Sequence, residues 1–432
     1  MPQASFINKG VDSPYMKLLF LVLDGAADNA NDVPTPYMAA NKPGLDGLAR
    51  QSRMGVHYPL GRGVAPESDS AVMSILGYDP NKYYTGRGPL EALGAGYKIR
   101  EGYEVAFRAN FATIDASRNI VDRRVGRNLS SEEAAELARA VDNMKLGGGR
   151  GYARVIPTIG HRAVVVIGSS DRLSGYVSNN DPGYARQGKI SIAVPNPGKK
   201  LPPLEALDSS EEARRTAELA NEFVDKAIKI LADHEVNKRR EREGKLPGNV
   251  ILIRDAGHEI PHVEPAEKVF GLRFGAVTEM PVERGIAIAL GMDSMPVSKY
   301  VGTKEEVLGE RLEATLRLLD RVDVAYVHLK GPDEPGHDGD FKRKVEEIEA
   351  IDKYYVQRLN SDSLAVLVTS DHATPWRLRS HSGDPVPFMV KTGSGGDGFS
   401  RFDEVNALKG SLGIVEHGWF LLPLVLKLLR KD

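Results

Sequence analysis

Asp24 ends the apolar run Lys17–Leu23. Asp333 and His337 follow a second run, 324–330, and Asp371 with His372 follows a third, 364–370. His381 comes nine residues after His372, and the loop Ser68-Asp69-Ser70 adds hydroxyls. Carboxylate, imidazole and hydroxyl donors without sulfur suit Mn²⁺, Mg²⁺, Zn²⁺ or Co²⁺. Three imidazoles lean the set toward a transition metal, with Mn²⁺ the first choice. Two such ions about 3.5–4 Å apart stabilise both the attacking and the leaving oxygen of a displacement at phosphorus. The pattern therefore reads as a two-metal phosphoryl-transfer site.

Each residue has a plainer use. A single Asp at a strand end is commonly a helix N-cap, and so is a serine at the head of a helix. The set as a whole is harder to explain that way. A hydroxyl beside a divalent cation loses its proton more easily. Ser70 is the first choice of nucleophile, since it heads an expected helix whose N–H groups would face a phosphate, and Ser68 is the second. Pro335 and Gly336 make 333–337 read as a turn. Asp371 and His372, adjacent in an extended segment, are expected to point to opposite sides, serving two ions, or one ion and the pocket wall.

The elements that would position these groups are buried parallel strands, because long apolar runs that stop at an acid or a His read that way. Ligands gather beyond the carboxyl ends of such strands, where distant residues can meet. Residues 1–16 read as a polar N-terminal extension. From about Val105 short strands (Val105–Ile114, Ala163–Ile167, Ile190–Val194) alternate with charged helices. Ser130-x-x-Glu133, Ser209-x-x-Glu212 and Thr303-x-x-Glu306 are capping-box starts, and the helix from Ser209 is expected to run unbroken to Lys238-Arg239-Arg240. Those cations offset the helix dipole rather than bind RNA. Site residues on both sides of the middle block imply a split domain, 17–100 and 270–432, with an insert at 101–269.

The 432 residues hold 41% hydrophobic and 27% charged side chains, ordinary for a globular protein with two domains. A formal charge of −2 provides no field for nucleic acid or an anionic membrane. With no cysteine there is no disulfide frame and no thiolate metal site. No apolar run approaches membrane-spanning length, and the cytoplasm is the expected compartment. The oligomeric state stays open, a homo-oligomer included.

Asp24, Asp69-Ser70-Ala71, Asp333-x-x-x-His337, Asp371-His372 and His381-x-x-x-Pro385 together resemble the alkaline phosphatase superfamily. Gly77-Tyr-Asp-Pro, Tyr84-Thr-Gly-Arg-Gly-Pro-Leu-Glu, Gly331-Pro-Asp-Glu-Pro-Gly-His and Ser370-Asp-His-Ala-Thr-Pro resemble its cofactor-independent phosphoglycerate mutases, in the archaeal-type branch. The likeness runs from about residue 17 to the end and is looser in the insert. It implies an α/β fold with a mostly parallel sheet, helices on both faces and a smaller inserted α+β cap. It also implies a phosphoglycerate substrate and one ion on Asp333, His337 and His381, with a second on Asp24, Ser70, Asp371 and His372. Phosphoserine would form and return its group to the other glycerate hydroxyl, with His161 and Asp181 moving protons. Carboxylate and phosphate recognition favours arginine. Arg254 is the first candidate, then Arg123 and Arg124, with Arg284 standing where bacterial-type members carry a lysine. A phosphatase, phosphodiesterase or phosphopentomutase on the same metal core is the rival enzyme. A metal-stabilised protein without catalysis is the rival outside enzymes.

Overall fold

The computed structural model describes residues 16–194, 197–297 and 302–430, so nearly all of the expected N-terminal extension lies outside the described residues. The chain divides into two compact units. One comprises the described residues through Tyr78, Phe270–Val277 and the chain from Val297 onward; the other comprises Asp79–Val269 and Thr278–Pro296.

In the first unit the fully buried strand Leu18–Leu23 pairs in parallel with Val324–Leu329 on one side and Ala365–Thr369 on the other. Phe274–Thr278 extends the parallel set beyond Val324–Leu329. Val386–Lys391 runs antiparallel to Ala365–Thr369, then come Arg53–His57 and the short strand Gly413–Val415. The sheet is thus mostly parallel, and its three central strands are apolar on both faces, as burial on both sides requires. Leu23 aligns with Leu329, which brings Asp24 and Lys330 to the same carboxyl edge, and Ser370 and Asp371 follow the third strand there. The helix Lys304–Leu319 starts at Thr303 with both capping-box bonds present.

The second unit is built on an antiparallel sheet in the order Val250–Gly257, Glu104–Ile114, Arg162–Ser169, Gly151–Pro157, Met144–Leu146. Two helices, Ser131–Val141 and Glu211–Ala232, bury their apolar faces in the same core as that sheet. Ser130 caps the first with a complete capping box. The second departs from expectation twice. Its cap is Ser210, not Ser209, and it stops at Ala232. His234 accepts the N–H of Val236 and starts a separate helix, Glu235–Arg242.

The unit boundary also falls differently from the sequence reading. Residues 79–100 and 278–296 group with the second unit because helices Arg87–Gly94 and Pro281–Ala289 pack backbone against backbone. A Cβ on Gly94 would lie 1.7 Å from Pro281 O, and one on Gly285 1.8 Å from Leu90 O. Glycine is needed at both positions for that approach.

Candidate metal centre and active site

Two ligand clusters form at the carboxyl edge of the parallel strands. The ligand atoms of Asp24, Asp371 and His372 lie within 4.8 Å of one another, and so do those of Asp333, His337 and His381. Asp333–Asp338 is a short helix rather than the expected turn. Pro335 falls in its first turn, where a missing N–H costs nothing, and Gly339 ends it at φ 73°. One helical turn puts Asp333 and His337 on the same face, Oδ2 3.5 Å from Nε2. His381 Nε2 is 3.1 Å from His337 Nε2 and 3.5 Å from Asp333 Oδ1.

Asp371 and His372 also differ from the extended geometry expected of them. They sit beyond the strand end, where the chain bends, and both side chains turn into one cluster, with His372 Nε2 3.3 Å from Asp371 Oδ2. The rings of His372 and His381 stack with centroids 3.8 Å apart, joining the clusters side by side.

The electrostatics suit a divalent cation. Burial and the charge of Asp24 push Asp371 up to about 7. Burial also opposes the charge on Asp24, but Lys330, His328 and His372 outweigh it and hold that carboxyl well below the usual range. Two close, buried carboxylates split in this way, because both cannot hold a charge at low cost. Asp24 Oδ1 and Asp371 Oδ2 are buried and accept no hydrogen bond among the described residues. An all-N/O donor set with such oxygens fits a divalent ion.

The two serines are distinct. Ser70 is buried, and its hydroxyl donates to the carbonyl of Glu67 at 3.1 Å. Ser68, half-buried at the first position of helix Ser68–Ile75, places Oγ 3.2 Å from His372 Nε2. It is Ser68 that faces the cluster.

Sequence reasoning missed His328 and Lys330. They alternate along Val324–Leu329 and its end, so both reach the same face. His328 Nε2 lies 3.5 Å from Asp24 Oδ1 and 3.6 Å from Asp371 Oδ2, and Lys330 Nζ lies 3.1 Å from Asp24 Oδ2. That alternation of polar residues in an apolar strand was the available signal.

Beneath the clusters, buried Lys344 donates to Asp28 Oδ2 (3.2 Å), Ala27 O (3.1 Å) and Thr374 O (2.7 Å). Glu404 accepts from Asp28 N–H and from the Thr35 hydroxyl, and burial pushes it up to about 7. A carboxyl raised in the folded state contributes stability below its unfolded range, near 4.5, and loses it as pH rises through 7. Glu404→Gln should therefore gain on the wild type, by a few degrees in Tm, between pH 5 and pH 8. Thermal melts at the two pH values showing a constant difference would refute this.

The second unit has its own charged cluster. Asp181, fully buried, binds the Arg123 guanidinium through both oxygens at 2.8 and 2.7 Å. Arg254 lies 4.0 Å from Asp181, with its guanidinium 3.4 Å above the Tyr184 ring. Arg108, which burial and the nearby Arg254 and Arg87 push down to about 9, lies 3.6 Å from Glu91. Nε of Arg108 and Nε of Arg254 are buried without a hydrogen-bond acceptor among the described residues. Such guanidinium nitrogens suit an anion. Burial and the charges of Arg162, Arg124 and Arg108 push His161 down to about 3. Val125, Arg127 and Asp255 all have φ between 53° and 57°, a strained region that clusters at functional sites. A cavity of about 490 Å³ is lined by Arg123, Arg124, Arg127 and Lys199 among others. Arg284 stands exposed on the helix Pro281–Ala289. Arg87 was not named from sequence and Arg108 was one of several unranked arginines of the insert, because only the fold brings them to Arg254.

A mixed α/β protein whose acids and imidazoles converge at the ends of parallel strands belongs to the class of enzymes that bind ligands there. A family model for 2,3-bisphosphoglycerate-independent phosphoglycerate mutase matches residues 49–237. A curated protein of that name from Aeropyrum pernix is 45% identical over 424 residues, covering 96% of this chain and all of its own. One from Methanopyrus kandleri is 39% identical, covering 92% of this chain and 93% of its own. A solved cofactor-independent phosphoglycerate mutase from Thermoplasma acidophilum is 33% identical, with TM-score 0.61, covering 96% of this chain and all of its own. The chain belongs to the 2,3-bisphosphoglycerate-independent phosphoglycerate mutases and is an isomerase acting on phosphoglycerate. No helix among the described residues is long and apolar enough to cross a membrane.

Proposed function

We propose that the chain interconverts 3-phosphoglycerate and 2-phosphoglycerate in the cytoplasm, as a step of glycolysis and gluconeogenesis, through a phosphoserine formed on Ser68. The observation that carries the choice of residue is the Ser68 hydroxyl at 3.2 Å from His372, against a Ser70 hydroxyl bonded to its own helix. Divalent ions, Mn²⁺ first, held by Asp333, His337 and His381 and by Asp24, Asp371 and His372, would lower the pKa of that hydroxyl and neutralise the phosphoryl charge.

The Ser68 hydroxyl gives up its proton as its oxygen attacks phosphorus, the bond from phosphorus to the substrate's C3 oxygen breaks, and that proton ends on the departing alkoxide. The C2 hydroxyl then gives up its proton and attacks the phosphoserine, and the Ser68 oxygen leaves and regains a proton. Lys330, 3.1 Å from Asp24, supplies positive charge beside the transferring group. Ser68 stands at the start of the helix Ser68–Ile75, the end whose partial positive charge favours an anion.

Arg254 and Arg123 hold the glycerate's anionic groups, with Arg124 and Arg108 beside them. His161, neutral at physiological pH, accepts the proton given up by the C2 hydroxyl. Asp181 orients Arg123 and Arg254 rather than shuttling protons, since both its oxygens are committed. Water must be excluded while phosphoserine exists, or the enzyme becomes a phosphatase.

Purified protein given 3-phosphoglycerate without bisphosphoglycerate should form 2-phosphoglycerate, with phosphate release at least about a hundredfold slower if the second hydroxyl competes well with water. Phosphate release as fast as isomerisation would favour the hydrolase reading.

A further inference from the structure

Thr374 touches both ligand clusters. Its buried hydroxyl donates to Asp333 Oδ1 at 2.7 Å, and His372 Nδ1 lies 3.1 Å from Thr374 Oγ1 itself. A hydroxyl has one proton and accepts through its lone pairs, whereas a carboxylate only accepts. With the hydroxyl proton committed to Asp333, the contact with His372 requires a proton on Nδ1. That leaves the lone pair on Nε2, the nitrogen 3.3 Å from Asp371 Oδ2 and 3.7 Å from Asp24 Oδ1.

The hydroxyl is not free to turn away. Thr374 N–H donates to Ala27 O at 3.1 Å, and its carbonyl accepts from Lys344 Nζ at 2.7 Å. Gly25 leaves the space it occupies, since a Cβ there would lie 2.8 Å from Thr374 Oγ1 and 2.5 Å from Asp333 Oδ1. Lys344 and Asp28 anchor the backbone on both sides, and all three residues are fully buried.

We propose that Thr374 is a positioning residue that fixes the His372 tautomer for metal ligation and couples the two clusters, so that filling one orders a ligand of the other. The coupling rests on the reading that both clusters hold ions; the tautomer does not. A partner that orients a ligating imidazole is worth about 10–100-fold in metal affinity.

The test compares wild type, Thr374→Val, which keeps the shape, and Thr374→Ser, which keeps the hydroxyl. Nitrogen-15 histidine spectra of the metal-free full chain should show His372 protonated on Nδ1 in the wild type and in Thr374→Ser, and a mixture of tautomers in Thr374→Val. Calorimetric titration with Mn²⁺ should show two ions binding cooperatively to the wild type. Thr374→Val should bind the second about tenfold or more weakly, with Thr374→Ser restoring it. Unchanged affinities and an unchanged tautomer in Thr374→Val would overturn the proposal, as would a wild-type His372 protonated on Nε2. Should Thr374→Val fail to fold, the wild-type and Thr374→Ser spectra still decide. A wild type that binds no ion pair would end the metal reading, while the spectra would still judge Thr374.

Discussion

Ser68→Ala should lower mutase turnover by roughly four orders of magnitude or more, the scale seen when a covalent nucleophile is removed. Ser70→Ala should leave turnover within about tenfold of the wild type, since among the described residues the lost hydroxyl bonds to Glu67 O alone. Ser68→Ala should still bind Mn²⁺, because the carboxylates and imidazoles of both clusters remain. Trapping with labelled substrate should place the phosphoryl group on the wild-type peptide containing Ser68 and nowhere in the variant. If Ser70→Ala were the silent enzyme and Ser68→Ala the active one, the assignment would be reversed. The 3.2 Å contact to His372 would then be an ordinary helix-end hydrogen bond.

Stripping the protein with a chelator should abolish conversion, and Mn²⁺ should restore it, with Mg²⁺, Zn²⁺ and Co²⁺ as comparisons. The physical reason is the closeness of Asp24 and Asp371, each with a buried oxygen that accepts no hydrogen bond among the described residues, beside a second cluster on Asp333. An ion bound only by the folded chain also stabilises it, by about 2.7 kcal/mol at a hundred times its Kd. Thermal midpoints should thus climb with Mn²⁺ concentration in parallel with activity. Full turnover in stripped protein, with a melting curve indifferent to Mn²⁺, would remove the ions from the mechanism.

Much of the fold was legible because the three central strands are buried on both faces, so their sequences are apolar runs, interrupted in the second by His328, with abrupt polar ends. The capping boxes at Ser130 and Thr303 were legible because their signal is local. What depended on phase was not. Ser68 and Ser70 share one motif, and only the angle of the first helical turn decides which hydroxyl meets His372. Pro335 suggested a turn where the chain makes a helix, since proline is harmless so near a start. The boundary near 79–100 hid in a backbone contact between Gly94 and Gly285, residues far apart in sequence. The arginine cluster was obscured by abundance, because burial, not residue type, separates Arg254 and Arg108 from the solvated ones.

The central place of Leu18–Leu23 between two strands from the last third of the chain has a cost during synthesis. At about 5–20 residues per second, roughly 15–60 s pass between the emergence of that segment and of its first neighbour. Through that interval a wholly apolar ribbon has no sheet to join, which makes it a natural client for a ribosome-associated chaperone. Metal loading must likewise wait until translation is almost finished.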